Sequence, residues 1–226
     1  MVRFSSDDPT VWERDIRKFA LRNQRESAST RPIVFTGSSS IRFWSSLKQD
    51  MAPLQVVNKG FGGSQIHHVT HYADRLVLPQ NPRAIVFYAG ENDIAGMFFG
   101  KKKSAAEVLQ DFQIFCDKIH AQLADVAIHF IAIKPPKRRI KYWAEMQEAN
   151  RLIKEFCDTD ARLYFVDIVP AMLDDQGQPR FDVFKWDGIH MNEKGYAIWT
   201  STLRPTLCEL YENELLEVSD TNAVSG

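Results

Sequence analysis

Four short segments carry residue types that can do chemistry together. Gly37-Ser38-Ser39-Ser40-Ile41 presents three hydroxyls on a tight turn directly after an apolar run. Asn58-Lys59-Gly60-Phe61-Gly62-Gly63-Ser64 is rich in glycine and can offer bare backbone N–H groups. Gly90-Glu91-Asn92-Asp93 supplies a carboxamide, and Trp186-Asp187-Gly188-Ile189-His190 places an imidazole three residues after a carboxylate. A serine becomes a nucleophile when a base takes its proton, and histidine has the unperturbed pKa for that task near neutrality. An Asp three residues before the His can curl back and fix the imidazole tautomer through Nδ1–H. A glycine N–H and an Asn amide are the donors that a developing oxyanion needs. Singly these are weak signals, because Gly-rich turns reverse chains and Asn-Asp pairs cap helices. Together they form the parts of an acyl-transfer site. The residue types alone leave open which of Ser38, Ser39 and Ser40 attacks, and which of Gly60, Gly62 and Gly63 donates.

The elements that must hold these segments follow from periodicity. Asp7-Asp8-Pro9 supplies an N-cap followed by Pro in a first turn, and Val11, Trp12, Ile16, Phe19 and Ala20 recur at helical spacing, so a helix is expected over about residues 9–25. Pro32 to Thr36 is a short continuous apolar run, the pattern of a strand buried on both faces. Similar runs follow at Leu54 to Asn58, Ala84 to Ala89, Val126 to Ile133 and, shorter, Leu163 to Val166. Between them lie amphipathic stretches. Ser104-Ala105-Ala106-Glu107 is a capping box, followed by Val108, Phe112, Phe115, Ile119 and Leu123 on one stripe. Trp143, Met146, Ile153 and Phe156 form another stripe, and Glu193 to Leu210 a third helix. Buried strands alternating with helices mean parallel βαβ units with right-handed crossovers, hence a three-layer α/β/α sandwich of about five strands. In an open parallel sheet ligands bind beyond the carboxyl ends of the strands, where the four segments fall.

The ordered set resembles the SGNH (GDSL-type) hydrolase superfamily from about Ile33 to Leu203. Phe35 to Arg42 is similar to the family's first block and maps the nucleophile onto Ser39. Asn58 to Gly63 is similar to the second block, with Gly63 as an oxyanion donor, Gly90 to Asp93 matches the GxND block with Asn92, and Asp187 to His190 matches the DxxH block. The resemblance implies a flavodoxin-like parallel sheet and hydrolysis of carboxylic esters without metal or organic cofactor. Its catalytic residues would be Ser39, Asp187 and His190, and its oxyanion hole Ser39, Gly63 and Asn92. One departure stands out: the usual Asp before the nucleophile is Ser38 here.

Composition sets the remaining bounds. The 226 residues hold 28 Lys+Arg against 29 Asp+Glu, which gives no strong field toward nucleic acid or anionic membrane. The 44% hydrophobic and 12% aromatic content supplies a core and excludes global disorder. We expect one domain over 1–226, with residues from about 212 onward as a tail, since periodicity stops there. Cys116, Cys157 and Cys208 lie far apart and read as small hydrophobes in a reducing compartment. With no signal peptide pattern and no apolar stretch near 18 residues, the expectation is a cytoplasmic protein without a membrane span.

His67, His68 and His71 are closely spaced, but a helical HHxxH lacks the acidic member of HExxH, so no metal is expected. Lys101 to Lys103 and Lys137 to Arg139 read as solvated basic faces. Phe61 and Phe98, on strand-end loops, are the candidate lining of an acyl pocket, whereas Trp143 reads as helix core. The expected function is a serine esterase acting on a small-molecule ester. An acyltransferase using the same acyl-enzyme and a catalytically silent binding module are the alternatives. Oligomeric state is not legible.

Overall fold

The computed structural model describes residues 8–23, 31–96 and 101–211. The expected tail beyond 212, and Phe98, lie outside the described residues. Asp8 caps a short 3-10 helix, Pro9–Trp12, by accepting from Thr10 N at 2.9 Å. It runs into α1, Glu13–Asn23. The chain then forms β1 (Ile33–Gly37), α2 (Ser39–Arg42), α3 (Leu47–Asp50), β2 (Val56–Gly60), α4 (Ile66–His71), α5 (Ala73–Leu76) and β3 (Ala84–Tyr88). After β3 come α6 (Glu91–Ala95), α7 (Ala105–His120), β4 (Ala127–Ile131), α8 (Trp143–Cys157), β5 (Leu163–Val166) and α9 (Glu193–Tyr211).

The five strands pair in parallel in the order β2-β1-β3-β4-β5. Helices cover both faces because every second strand residue points the other way and each set is apolar. Val34, Ile85, Phe87, Ile128 and Phe130 pack against Trp12, Ile16, Phe112, Phe115 and Ile153, under α1, α7 and α8. Ile33, Phe35, Val86 and Tyr88 face Ile41, Trp44, Trp199 and Leu203, under α2 and α9. This is the three-layer sandwich with the flavodoxin-like strand order.

The expected elements appear with small differences. The first helix begins as a 3-10 turn, and β2 starts at Val56, because Leu54 closes a turn by donating its N–H to Met51 O. The capping box forms as read: Glu107 N donates to Ser104 Oγ at 3.3 Å, and Ser104 N to Glu107 Oε2 at 2.8 Å. Strand order reverses at β1, which pairs with β2 on one side and β3 on the other. The opening between the carboxyl ends of β1 and β3 is therefore where a site can form.

Candidate active site

Ser39 opens α2 immediately beyond β1. The turn depends on Gly37, whose φ of +130° would place an added Cβ 1.9 Å from Tyr88 O. That close approach lets Ser38 N donate to Tyr88 O at 2.9 Å, pinning the start of α2 to β3. Ser38 occupies the N-cap, yet its side chain makes no cap hydrogen bond. Ser40 is buried and its carbonyl accepts from Tyr196 OH at 2.9 Å. Of the three serines, Ser39 is half-buried and hydrogen-bonded to His190, with its Oγ 3.0 Å from Nε2.

His190 is held by its own turn. Asp187 Oδ1 accepts from the backbone N–H groups of Ile189 and His190, both at 2.9 Å, and Oδ2 accepts from His190 Nδ1 at 2.6 Å. Gly188, at φ +63°, supplies the left-handed residue that lets the turn close. An ionised carboxylate can only accept, so in the neutral imidazole it sets the tautomer, with the proton on Nδ1 and the lone pair of Nε2 toward Ser39. Burial opposes the charge on Asp187, but the hydrogen bonds from His190 and Ile189 prevail and hold its pKa at about 2. Phe43, at the end of α2, sets its ring edge-on to the imidazole at 4.9 Å between centroids.

The two remaining segments meet each other beyond the end of β1, where Ser64 Oγ donates to Gly37 O at 3.2 Å. Asn92 Nδ2 donates to Ser64 O at 2.9 Å, Gln65 Nε2 to Asn92 O at 3.2 Å, and Ile66 N to Asp93 Oδ1 at 3.1 Å. These bonds tie the loop after β2 to the first turn after β3. Within the glycine-rich loop the roles separate. Gly60 lies so close to α2 that a Cβ would meet Arg42 N at 2.5 Å, and Gly62 O accepts from Trp12 Nε1 at 2.7 Å. Of the three, Gly63 alone has positive φ, 76°.

Several residues stand elsewhere than the sequence suggested. Phe61 does not line the site: it is fully buried, packed edge-on to Trp12 and Tyr72, because the strand-end loop turns that side chain into the core. Phe43 is the aromatic residue set against His190 instead; its place at the fourth residue after Ser39 was the available signal. The basic runs are not uniformly solvated. Lys103 is mostly buried, bonded to His67 Nδ1 at 2.8 Å, to Asp93 Oδ1 at 3.2 Å and to Asp111. Arg139 is 7% exposed and donates to Glu91 Oε1 at 2.9 Å and Asn92 Oδ1 at 3.0 Å.

The His67 and His68 rings lie 3.8 Å apart between centroids, but the three close-set histidines do not form one ligand cluster. His68 Nδ1 accepts from Gln65 N at 3.0 Å with its ring against Trp12, while His71 sits against Tyr72. His67, Asp93 and Asp111 do bring ligand-type atoms within 4.8 Å of one another, and the Lys103 ammonium is bonded to all three. This is a cation site whose cation is part of the chain. Among the described residues no helix is long and apolar enough to cross a membrane.

Ser39, His190 and Asp187 are thus hydrogen-bonded in series on a parallel five-stranded α/β/α sandwich. The chain belongs to the GDSL-like lipase/acylhydrolase family, whose model matches residues 28–198. Solved structures with the same fold include a GDSL-like lipase from Bacteroides thetaiotaomicron. It is 17% identical, with a TM-score of 0.75 over 87% of this chain and 98% of that one. The lipase/acylhydrolase from Enterococcus faecalis is 18% identical, with a TM-score of 0.66 over 79% and 95% of the two chains. A carbohydrate esterase family 3 protein from Talaromyces cellulolyticus is 16% identical, with a TM-score of 0.61 over 80% and 97%. Among curated protein sequences none matches.

Proposed function

We propose that the protein is a serine esterase that cleaves small carboxylic esters through an acyl-enzyme. The observation that carries this reading is the continuous relay from Ser39 Oγ through His190 to Asp187, at 3.0 and 2.6 Å, on a chain of the acylhydrolase family. Ser39 Oγ attacks the ester carbonyl as its proton passes to His190 Nε2. The imidazolium is stabilised by the Asp187 carboxylate, which stays ionised because its pKa is near 2.

Charge develops on the carbonyl oxygen, and three donors serve it: the Ser39 N–H, the Gly63 N–H and the second Asn92 Nδ2–H. Ser39 is the first residue of α2, where an N–H has no intrahelical partner. The positive φ of Gly63 turns the loop backbone sharply at the position proposed for the second donor. Collapse of the tetrahedral intermediate breaks the C–O bond, and His190 returns the proton to the leaving alcohol. Water then attacks the acyl-Ser39 ester with His190 as base, and the acid leaves as Ser39 regains its proton. The lipase/acylhydrolase and carbohydrate esterase neighbours support an ester as the substrate and leave sugar esters among the first to assay.

The test is covalent labelling with a fluorophosphonate, paired with hydrolysis of p-nitrophenyl acetate. The label should attach to Ser39, and Ser39→Ala should lose both the label and the activity while melting at the wild-type temperature. Full activity in that variant, or label on Ser38 or Ser40, would overturn the assignment.

A further inference from the structure

Asn92 cannot choose its own orientation. A carboxamide has an acceptor end and a donor end, and rotating it by half a turn exchanges them. If Asn92 is to give an N–H to an oxyanion, something must forbid the exchanged state. The partners at its two ends do this together. Ser64 O has only lone pairs and takes one Nδ2–H at 2.9 Å. Arg139 has only N–H donors and gives NH1 to Oδ1 at 3.0 Å. In the exchanged state the amide NH2 would face a guanidinium and Oδ1 would face a carbonyl oxygen. Both contacts would be repulsive in a buried place where water cannot relieve them.

Arg139 is itself held where it can act. It lies in a short 3-10 segment, Lys137–Tyr142, at φ −116° and ψ 21°, a non-helical conformation within that segment. The same NH1 reaches Glu91 Oε1 at 2.9 Å. Glu91 is the neighbour of Asn92 in α6, and its other oxygen is bonded to Lys134 Nζ and, at 3.1 Å, to Tyr88 OH. Lys134 and Tyr88 are fully buried and also bonded to each other at 3.2 Å. The ion network behind β3 and β4 therefore fixes one guanidinium, and that guanidinium fixes one amide.

We infer that Arg139 is the positioning residue of the oxyanion site, acting through Asn92 Oδ1 and not on the substrate. This rests on the reading of Asn92 as an oxyanion donor.

The experiment is a double-mutant cycle. Asn92→Ala should lower kcat by roughly 100-fold to 1,000-fold, the effect of one lost donor. Arg139→Met removes one of the two locks on the amide and should lower kcat by about 10-fold to 100-fold, a fraction of that loss, with KM within about twofold. Arg139→Lys should recover part, since an ammonium can reach one of its two partners but not both in the planar fork. In the Asn92→Ala background, Arg139→Met should cost nothing further, because the group it acts through is gone.

Losses that multiply would overturn the proposal, and so would a variant that changes melting temperature but not kcat. Arg139→Met leaves Lys134 on Glu91, so the carboxylate keeps a counterion and the fold a means of surviving the change. A second readout does not depend on turnover. In the wild type, the side-chain amide of Asn92 should give two distinct, exchange-protected N–H signals by NMR, and these should become solvent-like in Arg139→Met. Unchanged signals would sink the positioning role whatever the activity. If instead the wild type hydrolyses no ester but the amide signals respond, the esterase reading fails and the positioning stands.

Discussion

Replacing Asp187 by Asn isolates the tautomer from everything else the residue does. The Asp187 Oδ1 atom accepts two backbone N–H groups at 2.9 Å, and Oδ2 accepts the Nδ1–H of His190 at 2.6 Å. Asparagine has the same shape but only one acceptor end. The two backbone donors claim that end, so the amide NH2 turns toward the imidazole. Nδ1 must then accept, and the ring proton moves to Nε2, which faces Ser39 Oγ at 3.0 Å. A protonated Nε2 donates to the hydroxyl and cannot take its proton. In serine-protease triads this substitution costs about 10⁴ in kcat, which at 1.36 kcal/mol per tenfold is about 5 kcal/mol of barrier.

The assay is initial rates of p-nitrophenyl acetate hydrolysis, separated into kcat and KM, alongside a thermal melt. KM should move little, because Asp187 is bonded to Nδ1, on the side of the imidazole away from Ser39. Asp187→Ala is the informative contrast: it also strips the two backbone N–H groups of their acceptor, and should lose stability as well as rate. An Asp187→Asn enzyme within tenfold of wild type would refute the reasoning, since no other carboxylate is hydrogen-bonded to His190 among the described residues.

Other perturbations read other parts of the structure. The pKa of Asp187 is held at about 2 against an ordinary 3.8, so between those values the unfolded chain binds more protons and stability rises with pH. Urea midpoints should therefore fall as the pH drops from about 4 toward about 2, and Asp187→Asn should flatten that slope. Lys134→Met should destabilise, in urea titrations, by less than the ~3–5 kcal/mol of a buried charge left without any partner, because Arg139 still faces the Glu91 carboxylate. A loss below 1 kcal/mol would show that this ion pair is dispensable. Gly37→Ala should cost more than the ~1–3 kcal/mol of a strained backbone alone, because its Cβ also meets Tyr88 O. A lowered melting temperature checks it.

Much of this arrangement was legible because short-range rules dictate it. The strands announced themselves as apolar runs buried on both faces, and the Ser104–Glu107 box is a local hydrogen-bond pattern that needs no tertiary partner. The Asp187–His190 turn is similarly local, closing over three residues through bonds that the chain makes with itself. Phe61 failed for the opposite reason. A loop position states that a side chain can face the site, but direction is set by what packs there, and Trp12 and Tyr72 gave it a better place inside. Lys137, Arg138 and Arg139 form a uniform basic run in the sequence; only the third is buried.

By itself, then, the sequence determined the layered α/β architecture and the four segments proposed to carry the chemistry, because periodicity and turn chemistry act over a few residues. Tertiary structure decided which groups meet. Ser39 and His190 are 151 positions apart and bonded, and Asn92 finds Ser64 and Arg139 from separate strand ends. Strand order, not sequence distance, brings such ends together: the reversal at β1 opens one crevice, and the groups whose loops border it share it.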